Sequence, residues 1–183
     1  VVDRALAQAW FDVTVTGEDF HAGGAMAPRR DALVAASMLV QAVEEIAIAE
    51  GGRGTVGRLT LQPDSRNVVP SQVWFSVDYR HGDEAALARM GAALRARAAE
   101  IAAARKVSAE VADFWYCPLT PFDPALVSAL ETAARGRGLN YQVMPTGIGH
   151  DAVYVARRLP TAMIFVPCEG GISHNEAESI TPS

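Results

Sequence analysis

Residues 73–79, VWFSVDY, carry the strongest strand signal in the chain, rich in β-branched and aromatic side chains. Downstream, His81-Gly82-Asp83 breaks the strand, and Asp83 is placed to cap an Ala-rich amphipathic helix predicted over Glu84–Arg105. Val107–Tyr116 follows as a further strand. Upstream, Pro63-Asp64-Ser65 reads as a turn, preceded by an alternating strand over Thr55–Gln62. Before that, apolar residues at Leu33, Ala36, Val40, Val43 and Ala47 predict a helix over Arg29–Glu50, ended by Gly51 and Gly52. A Gly-rich loop, His21–Pro28, separates this helix from a first strand at Trp10–Thr16. The order is strand, helix, strand, strand, helix, strand, which is the split βαβ or ferredoxin-like arrangement. The expectation is an α+β domain with four antiparallel strands, both helices on one face and the other face bare.

The pattern changes after Pro118. Pro118, Pro121 and Pro124 punctuate a linker. Helices are predicted over Ala125–Gly138 and Asp151–Arg158, with a short strand at Tyr141–Met144. Thr161–Val166 is a continuous apolar run of the kind found in parallel strands buried on both faces. Two strands and two helices are too few to cover such a strand, so residues 119–183 read as a piece of a larger α/β domain. The domain boundaries read as 1–118 and 119–183.

Half of the 183 residues are apolar and 20% are charged, the balance of a soluble globular protein. The net charge of -5 argues against nucleic acid as a partner. No apolar run is read as reaching the ~20 residues that span a bilayer, so no membrane association is expected. Val1–Ala9 has no basic segment followed by an apolar one, so no secretion signal is expected. Cys117 and Cys168 form no paired motif, and a reducing, cytoplasmic setting with inert thiols is the expectation.

Three of the four histidines lie in Gly-rich or polar loops: His21 in FHAGG, His150 in TGIGHDA and His174 in GGISHNEAE. Loops held by strands are where functional side chains gather. Neutral imidazole is the commonest metal ligand, and His174 has Glu176 and Glu178 close by in sequence; yet one histidine does not make a zinc site, which needs about four ligands. Glu44 and Glu45 read as a solvated helix face rather than a general-base pair. Arg80, at the end of the strongest strand, has the planar fork suited to a carboxylate, and Asn67 can both donate and accept.

Taken together these residues resemble a known group. QAWFDVTVTGEDFHAGGAMAPRRDALVAAS and GRLTLQPDSRNVVPSQVWFSVDYR look like the lid domain of the hydantoinase/carbamoylase amidases. That group holds N-carbamoyl-L-amino acid hydrolases, β-ureidopropionases and allantoate amidohydrolases, within the dinuclear-zinc aminoacylase and carboxypeptidase superfamily. GIGHDA and FVPCEGGISHNEAESI are similar to its two C-terminal loops. The resemblance implies a lid and dimerisation domain followed by the C-terminal portion of a zinc-hydrolase catalytic domain. It implies a homodimer acting on a small ureido or amide substrate that bears a carboxylate. The cofactor implied is zinc, or manganese or cobalt in its place, two ions per intact site. His174 matches the C-terminal metal ligand. His21 matches a catalytic lid histidine that reaches across the dimer and steadies the oxyanion. Asn67 and Arg80 match the pair holding the substrate carboxylate. Gly149 and His150 match substrate contacts, and Gln8 matches a further polar lid position.

The group's HAG-x-TPM loop reads HAGGAMAPRR here, one residue shorter and without the threonine. The remaining metal ligands and the general-base glutamate belong, by the resemblance, to a part of the catalytic domain outside this chain. Two other readings stand beside this one: a ferredoxin-like dimerisation or ligand-binding module without catalysis, and an aminoacylase or dipeptidase of the same superfamily.

Overall fold

The structure is a computed structural model that describes residues 1–173 and 175–180. In chain order the strands are β1 (Val2–Ala5), β2 (Ala7–Thr16), β3 (Phe20–His21), β4 (Arg53–Gln62), β5 (Val68–Val69), β6 (Gln72–His81), β7 (Ser108–Cys117), β8 (Thr120–Pro121) and β9 (Met144–Thr146). The helices are α1 (Ala32–Glu50), α2 (Glu84–Arg105), α3 (Pro124–Gly136) and α4 (Asp151–Ala156). The chain divides into two compact units, Leu6–Leu119 and Val1–Ala5 with Thr120–Ser183. The first five residues thus leave the unit that the sequence reading placed them in. The reason is pairing: β1 lies between β8 and β9, antiparallel to the first and parallel to the second.

In the Leu6–Leu119 unit, β2 and β6 form an unbroken antiparallel ladder from Ala7 opposite His81 to Thr16 opposite Gln72. β4 flanks β6 and β7 flanks β2, giving the sheet order β4-β6-β2-β7. Alternate residues divide between the two faces. Ala9, Phe11, Val13 and Val15 of β2, with Val73, Phe75, Val77 and Tyr79 of β6, are buried in one cluster with Leu39 and Val43 of α1 and Leu87, Met90 and Leu94 of α2. Burying each larger side chain contributes about 1.5–3 kcal/mol, so this two-layer contact dominates the unit's stability. The Tyr79 hydroxyl lies in this core without a hydrogen-bond partner, and burial pushes it well above the usual phenol range. The other face carries Gln8, Trp10 and Asp12 of β2 beside Trp74, Asp78 and Arg80 of β6. There Trp10 packs on Trp115 at 4.8 Å, and the Arg58 guanidinium sits 5.3 Å over the Trp74 ring.

Helix ends follow local chemistry. The Asp31 carboxylate accepts from Leu33 N and Val34 N, both at 3.0 Å, so α1 starts at Ala32 rather than at Arg29. Gly51, at φ 72°, ends it in the left-handed conformation that glycine takes without strain. Asp83 caps α2 by accepting from Ala85 N at 2.8 Å. α1 is, by length and composition alone, long and apolar enough to cross a membrane, which corrects the reading that no such stretch exists. Here Ala35, Ala36, Leu39, Ala42, Val43, Ile46 and Ala47 are buried against the sheet, while Glu44 and Glu45 stay exposed on the solvated side.

The second unit has a smaller core, in which Val2, Phe122, Val127 and Met163 are buried together. Thr161–Val166 does not form the predicted parallel strand. Its one bridge joins Met163 to Val2, antiparallel. The short strand predicted at Tyr141–Met144 lies later, as β9, because Met144, Pro145 and Thr146 are the residues registered on β1. Neither cysteine forms a disulfide.

Two substitutions check this account. Gly54→Ala places a Cβ 2.8 Å from the Tyr79 ring and 2.8 Å from Ala47 Cβ, and is expected to lower stability by about 1–3 kcal/mol in urea unfolding of the full-length protein. Lys106, which ends α2 at φ 57°, is strained as a non-glycine residue, and Lys106→Gly is expected to raise stability by about 1 kcal/mol.

Candidate functional site

The long β2–β6 ladder sorts the candidate residues of the sheet unit to its two ends. At one end Gln8 lies opposite Arg80, and Arg80 lies opposite Arg53 on β4. Gln8 is 3% exposed, a polar side chain taken almost fully out of water. Arg80 grips Asp78, two residues back on the same face: Nε donates to the carboxylate at 3.0 and 3.2 Å and Nη2 at 2.5 Å. A fork-to-carboxylate grip of this kind fixes the plane of the guanidinium.

At the other end β3 and β5 pair outside the main sheet, with Phe20 opposite Val69 and His21 opposite Val68. The sequence reading treated both segments as loop. What makes them pair is a set of backbone ties that no residue type announces. Gly17 N donates to Ser71 O at 2.7 Å, Glu18 N to Arg30 O at 2.9 Å and Ala22 N to Asn67 O at 2.9 Å. Gly17 is required here, since a Cβ would lie 1.9 Å from Arg30 O. The result sets His21 opposite Val68 and Ala22 against Asn67, so that His21 and Asn67, both exposed, lie on neighbouring positions of the paired segments. His21 Nδ1 accepts from Gly23 N at 3.0 Å, and Asn67 Oδ1 accepts from the Ser65 hydroxyl at 2.8 Å. Arg29 donates from Nη2 to Ala22 O at 2.7 Å and Gly24 O at 2.9 Å, and from Nε to Ala25 O at 3.4 Å, closing the HAGGAMAPR loop on itself. Sequence reasoning missed Arg29 and Ser65. Nothing separates Arg29 from its neighbour Arg30 by composition, and Ser65 reads only as a turn residue.

Asn67 and Arg80 therefore do not meet within one chain. From Gln72 to Arg80 the strand advances eight residues, roughly 26 Å at ~3.3 Å per residue. The expectation that they act as a pair on one carboxylate is corrected for a single chain by that distance.

In the second unit His150 caps α4: its Nδ1 accepts from Ala152 N at 3.0 Å and its carbonyl from Val153 N at 3.0 Å. Gly149, beside it, is exposed, and a Cβ there would meet nothing within 4 Å, so sterics do not demand glycine. His174 lies outside the described residues. The loop around it is tied by Ala177 N to Asn175 Oδ1 at 2.9 Å and by Glu169 N to Ser179 O at 2.8 Å. Among the described residues no three His, Cys, Asp or Glu side chains converge as a metal site. The described residues alone do not fit the expected pair of ions.

A helix-backed antiparallel sheet followed by a mixed α/β unit is an architecture shared with solved amidases. A hydantoinase/carbamoylase family amidase from Burkholderia multivorans is 45% identical and superposes with a TM-score of 0.91, over 98% of this chain and 44% of that one. The chain belongs to the peptidase family M20/M25/M40, whose model matches residues 13–183. It is 37% identical to an N-carbamoyl-L-amino-acid amidohydrolase of Rhizobium meliloti, over 99% of this chain and 44% of that protein. It is 36% identical to an allantoate amidohydrolase of Escherichia coli K12, over 97% of this chain and 44% of that protein. The chain thus spans less than half the length of these relatives.

His150→Ala removes the side-chain cap of α4 and is expected to speed hydrogen exchange at the Ala152 amide by about fivefold, as the loss of roughly 1 kcal/mol of capping implies. Unchanged exchange would show that the ring does not hold this helix.

Proposed function

We propose that this chain is part of a metal-dependent amidohydrolase that cleaves the carbamoyl or ureido C–N bond of a small carboxylate-bearing substrate, an N-carbamoyl amino acid or a related ureido acid. In this reading the Leu6–Leu119 unit is a ferredoxin-like lid and dimerisation domain, and the second unit is the C-terminal part of the catalytic domain. The similarity to N-carbamoyl-amino-acid and allantoate amidohydrolases supports the reaction class. The metal is zinc, manganese or cobalt, whose ligand preferences overlap at N/O sites. It polarises the scissile carbonyl and activates water. His174 is assigned as one ligand, and the rest are assigned to the part of the relatives that this chain does not span. A cytoplasmic setting belongs to the same reading.

The observation that carries the reading is the separation of the two polar clusters. Arg80 with Gln8 at one end of β6 is suited to a carboxylate. His21 with Asn67 at the other end is suited to negative charge that develops on a carbonyl oxygen. A ureido acid is far shorter than the strand between them, so one chain cannot apply both to one molecule. A homodimer can, when its isologous two-fold brings the His21 end of each lid to the Arg80 end of its partner's, a contact that the symmetry then makes twice. Each active site then takes Arg80 from its own lid and His21 from the other. Amide hydrolysis needs both functions: one end of the substrate anchored to fix attack geometry, and a pre-placed donor for the oxyanion, worth about 3–4 kcal/mol. Gly149 and His150 are assigned as substrate contacts from the second unit.

In the full-length enzyme Arg80→Ala is expected to raise KM at least a hundredfold for a carbamoyl amino acid, and a change under threefold would remove Arg80 from the anchor role. Mixing inactive His21→Ala and Arg80→Ala subunits is expected to restore about a quarter of wild-type activity, since half the dimers are hybrids with one intact site each. No recovery after verified subunit exchange would mean that both residues act in the same chain.

A further inference from the structure

His21 and Asn67 are ambivalent groups: a neutral imidazole carries its proton on either nitrogen, and a carboxamide both donates and accepts. A site for an oxyanion needs donors alone. Here the accepting atom of each is already engaged from within. The Gly23 amide donates to His21 Nδ1 at 3.0 Å, so the ring hydrogen of neutral His21 resides on Nε2. The Ser65 hydroxyl donates to Asn67 Oδ1 at 2.8 Å, leaving the NH2 group as the outward function. His81 shows the consequence inside the same unit. Its Nδ1 accepts from Asp83 N at 2.8 Å, and its Nε2 lies 3.0 Å from Glu50 O, a carbonyl to which it can only donate. Among the described residues neither His21 Nε2 nor Asn67 Nδ2 has a hydrogen-bond partner, and both residues are exposed.

The Gly23 amide stays aimed at Nδ1 because the loop behind it is held. Arg29 takes the carbonyls of Ala22 and Gly24, one on each side of Gly23, and that of Ala25. Room is also limited: a Cβ on Gly23 would lie 3.2 Å from His21 Nδ1, and one on Gly24 2.4 Å from the Phe20 ring. The shortened HAGGAMAPR loop thus closes as a tight turn in which the arginine replaces side-chain contacts that two glycines cannot make. Lysine offers a single ammonium in place of the fork and cannot span the same carbonyls in one plane.

We propose that Arg29, the Gly23 amide and Ser65 form a backing layer that fixes His21 and Asn67 as hydrogen-bond donors only, so that this end of the sheet receives an unprotonated oxygen anion. Arg29 and Ser65 are positioning residues, acting through His21 and Asn67. The kinetic part of the proposal rests on the amidohydrolase reading above; the tautomer part does not.

The test uses the full-length protein labelled with 15N only at histidine, the His21 signals being assigned by their loss in His21→Gln. The wild type is expected to show the Nε2–H tautomer. Arg29→Ala and Arg29→Lys are expected to give a mixture of both tautomers. A wild-type Nδ1–H tautomer, or a tautomer ratio untouched by either Arg29 variant, would overturn the proposal. In turnover of a carbamoyl amino acid, Ser65→Ala is expected to lower kcat about tenfold with KM changed less than twofold, and Ser65→Thr, which keeps the hydroxyl, to restore kcat. Ser65 is exposed and makes its hydrogen bond to Asn67, so loss of folding does not cloud this variant. Unchanged kcat in Ser65→Ala, or a loss that Ser65→Thr does not repair, would remove Ser65 from the layer. A wild type that turns over no carbamoyl or ureido substrate would sink the proposed reaction, while the tautomer measurement would still decide the role of Arg29.

Discussion

The antiparallel ladder between β2 and β6 is the constraint on which the rest of the sheet unit depends. Its ten opposed pairs run without a bulge, from Ala7–His81 to Thr16–Gln72. Side chains alternate between faces with a period of two, so a slip of one residue would turn Val73, Phe75, Val77 and Tyr79 out of the core and bring Trp74, Ser76 and Asp78 in. Register is therefore set by burial. Once it is set, the distance between the Gln8–Arg80 end and the His21–Asn67 end is simply strand rise multiplied by residue number. That distance exceeds the length of a small ureido acid, and it is on this geometrical fact, rather than on any feature of either cluster alone, that the proposed role of a two-fold partner rests.

The flap at the far end obeys a different logic. β3 and β5 are two residues each and bury little; what holds them is backbone hydrogen bonding to Ser71, Arg30 and Asn67 and the Arg29 grip on three carbonyls. Hydrogen bonds of this kind each contribute only about 1 kcal/mol, so the flap depends on their number and on the absence of side chains at Gly17, Gly23 and Gly24. The three histidines described in both units share one local device. His21, His81 and His150 each use Nδ1 to accept the amide two residues ahead, from Gly23, Asp83 and Ala152. The device makes a short turn and at the same time selects a tautomer. In His81 the remaining nitrogen ties β6 to the end of α1 through Glu50 O; for His21 and His150 the only ring contact among the described residues is the one at Nδ1.

Much of the fold was legible from residue order, because hydrophobic periodicity and end-capping are local properties. The α1 stop at Gly51, the α2 start at Asp83 and the strand at Val73–Tyr79 needed no tertiary information. The α1 start did, in part: the helix was expected from Arg29, although the apolar spacing begins only at Leu33, and the Asp31 carboxylate, bonded to Leu33 N and Val34 N, marks the boundary. The second unit was read less well. Val1–Ala5 carries no strong strand signal, and it becomes a strand through being sandwiched between β8 and β9. Thr161–Val166 carries a strong signal and yet makes a single bridge. A buried parallel strand needs neighbours on both edges, and the described residues offer one.

The sequence by itself determined which residue types could do chemistry: loop histidines, one strand-end arginine and an asparagine after a turn, ordered as in the hydantoinase/carbamoylase amidases. It also determined the helix-backed sheet, since period-two and period-3.6 patterns are written in the chain. Only the tertiary structure decided which of those residues share a place. Asn67 lies 13 positions from Arg80 in the chain and yet at the opposite end of the sheet from it, while His21 is set beside Val68, next to Asn67, by a pairing that composition does not announce. The physical reason is that proximity along an antiparallel sheet is set by register and strand length, and the polarity of a histidine or asparagine is set by the hydrogen bond made to its other atom. Neither is a property of a residue taken alone.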